Sequence, residues 1–280
     1  MSVITSPISL CTVRVEMLFN DTLLATGSSF FYDYKGRSFL VTNRHNVTGC
    51  DQNTGKPLDV TRGGIPNSIR FKVPVAEKSG NSFRIGSAHV LSHLKWEEDD
   101  RPWLEHPQLG ASADVVAFDI AHHWPKFGKP VFHANTLPNY VPLSLKPALS
   151  VSVVGYPFGQ AVNEFYPVWV SGSLASEPSF NADGKPALFI DCRTNRGSSG
   201  SPVFAYVAGG LAQTENDKLT SSEHGIFMQY THTDGTHWGM FGAPAQRFIG
   251  IYSGRINDKA DIGLVWRTEV IEAVCSTCDQ

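Results

Sequence analysis

The segment Asn195–Phe204, N-R-G-S-S-G-S-P-V-F, holds the residues of this chain best suited to nucleophilic chemistry. A Gly/Ser cluster on its own is typical of a flexible linker. This one stands between two apolar runs, A-L-F-I-D-C-R and P-V-F-A-Y-V, which both predict buried strands. Glycines at 197 and 200 allow a tight turn that exposes the Ser199 hydroxyl and directs backbone N–H groups at one point. The segment therefore predicts a nucleophile whose base must come from elsewhere in the chain.

A histidine and an aspartate upstream occupy similar positions at strand ends. His45 follows the apolar run S-F-L-V-T-N, and Asp114 directly precedes the run Val115–Phe118, from which Asp119 alternates outward. Taken singly, they could be a core histidine bonded to a backbone carbonyl and a turn or capping aspartate. Because a buried aspartate needs donors and an imidazole N–H is a natural one, we expect Asp114, rather than Asp119, to pair with His45.

The elements that must position these residues predict an all-β protein. Seventeen prolines and 25 glycines stand among many short Val/Ile/Phe runs, which is typical of strands joined by turns. Two strand pairs are predicted near the N-terminus, Leu10–Phe19 with Asp21–Ala25 and Gly27–Tyr32 with Ser38–Asn43. The best helix lies at about 268–275, where a capping-type threonine and an acidic first turn precede apolar residues on one face. Pro138–Pro147, with three prolines, predicts the connection between two halves.

Composition and charge argue against several classes of partner. The chain of 280 residues has 23 Lys+Arg against 26 Asp+Glu, a net charge of −3 without long single-sign blocks. We therefore expect no nucleic-acid partner and no anionic membrane surface. No stretch reaches the ~18 apolar residues of a membrane span, and the first residues lack a basic segment followed by a long apolar core. A cytoplasmic protein is the expectation.

Cysteines and histidines do not predict a metal or cofactor. The five cysteines are odd in number and predict reduced thiols, and Cys275-x-x-Cys278 lacks the second ligand pair or βαβ context of a zinc or redox motif. Neither His122-His123 nor the pair His232 and His237 has the helical H-E-x-x-H pattern of a zinc protease. The glycine-serine turn is not followed by the G-K-[ST] of a phosphate loop.

Five motifs in order resemble those of the two-barrel, trypsin-like serine proteases, especially the HtrA-type and glutamyl-endopeptidase branches. L-V-T-N-R-H-N-V is similar to L-T-N-x-H-V-V, with Asn46 where valine is usual, and D-V-V-A-F-D-I resembles D-L-A-[LV]-[LI]. V-V-G-Y-P-F-G resembles G-Y-P-x-G, N-R-G-S-S-G-S-P resembles N-x-G-N-S-G-[GS]-P, and I-G-I-Y-S-G resembles I-G-I-x-x-G. The motifs span the chain from about Gly27 to Trp266. The resemblance implies two antiparallel six-stranded β-barrels, residues 1–137 and 138–280, with a short C-terminal helix.

The resemblance also implies a serine endopeptidase that acts on protein or peptide substrates through an acyl-enzyme. Ser199 Oγ would attack the peptide carbonyl, and His45 would take its proton and later give it to the leaving amine. Asp114 would hold the imidazole, and the N–H groups of Gly197 and Ser199 would form the oxyanion hole. Ser198 and Ser201 are competing hydroxyls, but only Ser199 fills the third place of G-x-S-G.

Departures from the family pattern bear on regulation. Zymogen-activated trypsins have, before the nucleophile, an aspartate that pairs with a newly cut N-terminus, whereas this chain has Ser198. We therefore do not expect cleavage at the N-terminus to be the switch. A loop rearrangement or a regulatory protein partner stays open as an alternative.

Specificity residues are implied at two places. Arg193, six residues before the serine, would suit an acidic P1 side chain through bidentate pairing, with exposure to solvent or a pair with Asp191 as the alternatives. Thr194 matches a threonine of glutamyl endopeptidases, but Tyr252 stands where they have a histidine.

Ser253 and Gly254 would present a strand edge to the substrate peptide. A second interpretation is a catalytically dormant trypsin-like domain that binds peptides or a partner protein. The complete set of Ser, His and Asp favours the enzyme, because a domain that only binds has no chemical need for all three.

Overall fold

Antiparallel strands joined by tight turns account for most of the structure, a computed structural model. It describes residues 6–52, 54–59, 64–79, 82–97, 100–120, 132–137, 141–215, 226–241, 245–257 and 259–279. The first residues of the predicted connection Pro138–Pro147, 138–140, lie outside the described residues, as do His122 and His123.

The N-terminal half forms a curled six-stranded sheet in the order β5-β4-β1-β2-β3-β6. Its strands are β1 (Thr12–Phe19), β2 (Thr22–Tyr34), β3 (Arg37–Thr42), β4 (Ser68–Ser79), β5 (Ser82–Lys95) and β6 (Val116–Asp119). The first hairpin turns at Asn20 and Asp21, whose φ angles of 45° and 66° suit a two-residue hairpin loop.

The strand prediction for residues 21–32 needs a correction. The sequence predicted two strands there, Asp21–Ala25 and Gly27–Tyr32, but the structure has the single strand β2. Thr26 and Gly27 pair with Glu16 and Val15 of β1, so the strand continues through the predicted gap, with one register shift where β1 passes from Met17 to Leu18. One long strand thus leads from the first hairpin to the centre of the molecule.

The C-terminal half forms a closed barrel in the order β10-β14-β15-β9-β8-β7. Its strands are β7 (Ser150–Gly155), β8 (Val168–Leu174), β9 (Ala187–Asp191), β10 (Pro202–Val207), β14 (Ala245–Arg255) and β15 (Ile262–Arg267). A separate three-stranded sheet consists of β11 (Gly210–Thr214), β12 (Ile226–Thr231) and β13 (His237–Phe241). The predicted all-β class with a short C-terminal helix is confirmed; of the two six-stranded sheets, the second closes and the first is a half-barrel.

The described α-helices are all short: α1 (Pro7–Cys11), α2 (Arg44–Thr48) and α3 (Thr268–Ser276). The predicted C-terminal helix is α3, which buries Val270, Ile271 and Val274. Thr268 is not its cap, however, because the residue before the helix is Arg267 and no side chain caps the helix. Within the described residues, no helix combines the length and apolar character that crossing a membrane requires.

Aromatic side chains connect the two halves. The ring of Phe248 on β14 lies 5.4 Å from that of Phe30 on β2 and 5.5 Å from that of Phe204 on β10. All three side chains are buried, and the same apolar cluster includes Trp266 and Val270. Hydrophobic burial of this kind packs the sheet against the barrel.

Candidate active site

A single turn of helix holds His45 at the end of a buried strand. β3 ends at Thr42, and α2 begins two residues later at Arg44. Gly49 closes the helix in the left-handed region, with φ of 64°, and its N–H donates to the His45 carbonyl at 3.0 Å. A Cβ at Gly49 would lie 2.7 Å from Pro66 Cδ, so only glycine is accommodated there. The histidine thus has a fixed backbone position.

Asp114 binds His45 through both carboxylate oxygens. The Nδ1 atom of His45 lies 2.7 Å from Asp114 Oδ2, and the His45 backbone N–H donates to Oδ1 at 2.9 Å. The Ser253 hydroxyl donates to Oδ2 as well. The Asp114 side chain is 1% exposed, so these donors supply the hydrogen bonds that a buried carboxylate requires.

This contact favours the His45 tautomer that a general base needs. With Nδ1–H donated to Asp114, the Nε2 lone pair is available for another proton. Burial lowers the pKa of His45, but the charge of Asp114 and its hydrogen bond outweigh that effect and hold the pKa above the ordinary histidine value. The predicted alternative, Asp119, lies elsewhere and pairs with Arg37.

The turn that carries Ser199 depends on two glycines at positive φ. Gly197 has φ of 90° and Gly200 has φ of 88°. A Cβ at Gly197 would lie 2.4 Å from the Tyr156 carbonyl oxygen, and one at Gly200 would lie 2.0 Å from the Ser28 carbonyl oxygen. Neither position therefore accepts a side chain, and the turn conformation follows from these two glycines.

Ser28 of β2 fastens the turn to the first sheet. Its backbone N–H donates to the Ser199 carbonyl at 2.9 Å, and its hydroxyl donates to the Gly197 carbonyl at 2.8 Å. The same hydroxyl accepts a hydrogen bond from the Tyr156 N–H at 3.0 Å. The two halves of the chain are thus hydrogen-bonded to each other at the nucleophile.

Two backbone N–H groups of the turn are available to an anion. The Arg196 carbonyl accepts from Phe158 N–H at 2.6 Å, so across the trans peptide the Gly197 N–H points away from Phe158. The Ser198 carbonyl accepts from Ser201 N–H at 3.1 Å, which likewise directs the Ser199 N–H away from Ser201. Across the described residues neither N–H has a protein acceptor.

The Ser199 hydroxyl does not touch His45 in this structure. It donates to the Ser253 carbonyl at 3.3 Å, and no hydrogen bond joins it to His45 among the described residues. The competing hydroxyls are less accessible, because Ser198 is 1% exposed and Ser201 is 0% exposed. Ser199 is thus the partly exposed serine of the turn.

Asn46 is a contact of the turn that sequence reasoning missed. Its Nδ2 donates to the Ser199 carbonyl at 3.2 Å and to Thr42 Oγ1 at 3.0 Å, and the residue is 4% exposed. A Cβ at Gly27 would lie 2.8 Å from that nitrogen, so a glycine makes room for the amide. The sequence held one signal that could have indicated this contact: a polar residue, Asn46, stands where the family pattern has valine.

The implied specificity residues separate into a buried pair and an exposed cation. Thr194 and Tyr252 are 1% and 2% exposed and join through their hydroxyls, and burial raises the pKa of Tyr252 to about 12. The Arg193 side chain is 86% exposed, with Nε 3.7 Å from Asp261 Oδ2. Of the two alternatives for Arg193, exposure to solvent agrees with the structure, whereas a pair with Asp191 does not, because the carboxylate neighbour is Asp261.

Ser253 and Gly254 lie on β14 beside an irregularity in its pairing with β15. Ser253 contacts both sides of the site, with its hydroxyl on Asp114 and its carbonyl on Ser199. This double contact was not expected from the sequence, since Ser253 is 139 residues from Asp114 along the chain. A Cβ at Gly254 would meet nothing within 4 Å, so the backbone there is open to a neighbour.

The described residues contain no group of three His, Cys, Asp or Glu side chains arranged to hold a metal. The site itself joins a carboxylate-bound imidazole, a partly exposed serine hydroxyl and two unpaired N–H groups. Such an arrangement can support acyl transfer without a bound cofactor.

The family model of the trypsin-like peptidase domain matches residues 27–212, more than half of the chain. The chain therefore belongs to the trypsin-like peptidase domain family. No curated protein matches it.

Several solved protease structures are similar to the chain. The serine endoprotease from Yersinia pestis has 15% identity and a TM-score of 0.47, covering 98% of this chain and 67% of its own. The active form of the Rv3671c protease from M. tuberculosis has 13% identity and a TM-score of 0.45, covering 96% and 81%. The catalytically inactive tobacco etch virus protease complexed with substrate has 12% identity and a TM-score of 0.48, covering 98% and 85%.

Proposed function

We propose that this protein is a serine endopeptidase that hydrolyses peptide bonds in protein substrates through Ser199, His45 and Asp114. One observation supports this most strongly. The turn that presents the Ser199 hydroxyl also presents two unpaired N–H groups, beside a histidine bound to a buried carboxylate. A serine nucleophile, a base held in its tautomer and an oxyanion site are the parts that acyl transfer requires.

The reaction begins with rotation of the Ser199 hydroxyl from the Ser253 carbonyl to His45 Nε2. Oγ attacks the peptide carbonyl carbon as Nε2 takes the hydroxyl proton, and Asp114 stabilises the resulting imidazolium. The carbonyl oxygen becomes an oxyanion that accepts from Gly197 N–H and Ser199 N–H, where one donor is worth about 10²–10³ in rate.

Collapse of the intermediate breaks the C–N bond, and the leaving amine takes the proton from Nε2. An ester on Ser199 remains. Water attacks this ester as His45 accepts a water proton, and the released carboxylic acid leaves Ser199 with its proton restored. No other co-reactant is needed.

The finer features of the proposal follow the sequence resemblance. They include membership of the HtrA-type or glutamyl-endopeptidase branch, and a P1 pocket near Arg193, Thr194 and Tyr252. The residues before the scissile bond would pair with the backbone of Ser253 and Gly254. We further propose a cytoplasmic location, which the five free thiols support because disulfides are rare in that compartment.

A fluorophosphonate probe, which reacts covalently with activated serines, tests the proposed function. We expect labelling of the wild type and none of Ser199→Ala, with Ser201→Ala labelled like the wild type if it folds. Thermal unfolding of each variant reports its folding state. Absence of labelling in folded wild-type protein would contradict the proposal.

A peptide library with mass-spectrometric identification of cleavage sites tests the P1 proposal. Enrichment of Asp or Glu at P1 that disappears in Arg193→Gln would support a role for Arg193. Equal cleavage after neutral residues would exclude it, and would leave the Thr194–Tyr252 pair as the pocket feature to vary next.

The alternative is a dormant domain that binds peptides or a partner protein. One observation favours it: the Ser199 hydroxyl is bonded to Ser253 rather than to His45. Under this alternative, folded wild-type protein would bind a library peptide but would neither cleave it nor react with the probe.

A further inference from the structure

A cavity of about 240 Å³ lies on the first sheet, away from the proposed catalytic residues. Strands β1 and β4 form one wall, and the segment after β7 forms the other. The charged side chains that line it are Arg14, Glu16, Arg70, Lys72 and Glu164. The volume is smaller than the roughly 300–1,000 Å³ of drug-sized sites, so it suits a single side chain or small anion.

The strand register places two like charges opposite each other in this wall. Glu16 pairs with Arg70 and Val15 with Phe71 between β1 and β4. Continuing the same antiparallel register by one residue puts Arg14 opposite Lys72. Directly opposed like charges destabilise a sheet, so this pair conflicts with local sheet preferences unless an anion lies between them.

Glu16 does not neutralise the cations around it. Arg70 Nε and Arg14 Nη2 lie 2.7 Å and 3.2 Å from its two carboxylate oxygens, so one negative charge serves two guanidinium groups. Lys72 forms no ion pair with any described residue, nor does Glu164 on the other wall. Three cations and two carboxylates leave one excess positive charge, which matches a monoanion better than a phosphate of charge near −2.

One donor of the cavity, Arg14, is held in place by the protein. Arg14 Nη1 donates to the Gly159 carbonyl at 3.0 Å, and its side chain is 29% exposed. The buried Tyr156 ring forms part of the lining, and its hydroxyl bonds to the carbonyls of Thr12 and Phe165. A guanidinium group that is already fixed beside an apolar ring loses little entropy when it binds a ligand.

We propose that this cavity binds one carboxylate of a peptide, between Arg14 and Lys72. An acidic side chain of the substrate beyond the scissile bond and a separate acidic peptide share this chemistry. In either case the carboxylate supplies the charge that Glu16 leaves unmatched and relieves the repulsion between the opposed cations.

Two hydrogen bonds connect the cavity to the nucleophile turn. Arg14 donates a hydrogen bond to the Gly159 carbonyl. The N–H of the neighbouring Phe158 donates to the Arg196 carbonyl, which belongs to the same peptide group as the Gly197 N–H. Phe158 has φ of 55°, a strained value for a residue with a side chain that its surroundings must maintain. Occupancy of the cavity therefore stabilises the oriented Gly197 N–H, a step that rests on the proposed function.

Binding is tested with the Ser199→Ala protein, which cannot turn over. The probes are acetyl-Ala-Glu-Glu-Ala-amide and its Gln-Gln counterpart, titrated by calorimetry at low salt. We expect the acidic peptide to bind about twofold to fivefold more tightly, as for a solvent-exposed charge pair. Lys72→Gln should remove the difference, whereas Lys95→Gln, on the same sheet outside the cavity, should retain it. Equal binding of both peptides, or equal loss in both variants, would overturn the proposal.

Cleavage assays then distinguish the two sources. Substrates with Glu or Gln at each of the four positions after the scissile bond are compared, and the acidic peptide is added separately to a neutral substrate. A rate gain confined to Glu-containing substrates identifies the substrate as the source, and a gain from added peptide identifies a separate ligand. No gain in either assay would refute the coupling to Gly197. If the fluorophosphonate probe fails, the proposed function is lost, but the calorimetric difference still decides the carboxylate site.

Discussion

Two aspartates of this chain bracket the same strand and differ in what they contact. Asp114 binds His45, whereas Asp119 pairs with Arg37. We expect Asp114→Asn to lower the rate of fluorophosphonate labelling about 10³–10⁴-fold, because the amide stabilises the wrong imidazole tautomer. Asp119→Asn is the matched control and should label within about twofold of wild type, since Asp119 pairs with Arg37 and does not contact His45. Similar losses in both variants would contradict the assignment.

The pH dependence of labelling follows from the same contact. Asp114 outweighs burial and raises the pKa of His45, so the imidazole keeps its proton to higher pH than an ordinary histidine. Because only neutral His45 accepts the serine proton, the rate should rise with pH through a midpoint above the ordinary value of about 6.5. Labelling rates from about pH 5 to pH 9 measure this midpoint. In Asp114→Asn the midpoint should move to lower pH, since burial is then opposed only by the smaller effect of the Asp51 charge. A wild-type midpoint below the ordinary histidine value would be inconsistent with the contact.

Asn46 offers a third test among single residues. In Asn46→Asp a carboxylate replaces the donor that faces the Ser199 carbonyl, so two acceptors meet in a buried space. We expect labelling to slow by about tenfold or more, with a loss of stability of about 1–3 kcal/mol. Asn135→Asp removes a comparable donor, which holds the Asp33 carbonyl at 2.7 Å far from the site. It should lose stability without losing the labelling rate of its folded fraction.

For single residues, the sequence predicted which residues belong to the candidate site better than it predicted which side chains they contact. Ser199, His45 and Asp114 were found because each follows or precedes a recognisable apolar run. The contact of Ser253 with Asp114 and that of Asn46 with Ser199 were not found, because each joins residues more than 130 positions apart. Side-chain partners across such separations follow from packing, which local pattern does not encode.

Among the elements, the nucleophile turn has the narrowest sequence tolerance. We expect Gly197→Ala to abolish labelling, because its Cβ would lie 2.4 Å from the Tyr156 carbonyl oxygen and the turn must move. Gly184→Ala is the control: Gly184 also has positive φ, at 68°, but its Cβ would meet nothing within 4 Å. It should cost about 1–2 kcal/mol in chemical denaturation and leave labelling intact.

Strands, turns and helices were predictable where neighbouring residues in the sequence specify them. The turn at Asn20 and Asp21, the strands flanking the nucleophile turn and the C-terminal helix all carry short-range signals. The helix α2 was missed because five residues are too few to show a periodic pattern. Its C-terminal end also depends on the close approach of Gly49 to Pro66, which are far apart in the local sequence pattern. The continuity of β2 was also missed, since it depends on pairing with β1 rather than on residues 21–32 themselves.

For the molecule as a whole, Phe248 joins the sheet to the barrel. We expect Phe248→Ala to lower the free energy of unfolding by about 3–5 kcal/mol, because the residue is 5% exposed and packs on both Phe30 and Phe204. Phe180→Ala, at a side chain 71% exposed, should change it by less than about 0.5 kcal/mol. Denaturant titration followed by fluorescence and circular dichroism measures both. Two separate transitions in the wild type would refute a shared core.

Whether each β-sheet closes into a barrel was the feature hardest to predict from the sequence. Both halves show the same alternation of short apolar runs and turns, yet the second forms a closed barrel and the described part of the first forms a curled sheet. Whether a sheet closes depends on the stagger and tilt of all its strands together, a property that no single run of residues carries.

The hydrogen bonds between Ser28 and the nucleophile turn mean that the proposed active site needs both halves of the chain together. His45 and Asp114 are encoded before β7 and Ser199 after it, so a chain divided between β6 and β7 would put the base and the nucleophile on separate fragments. Under the proposed function, neither fragment alone would have peptidase activity. Recovery of that activity would show that the two fragments had associated. The same contact between halves would make the protein a candidate sensor of proximity, with each half fused to one of two interacting partners.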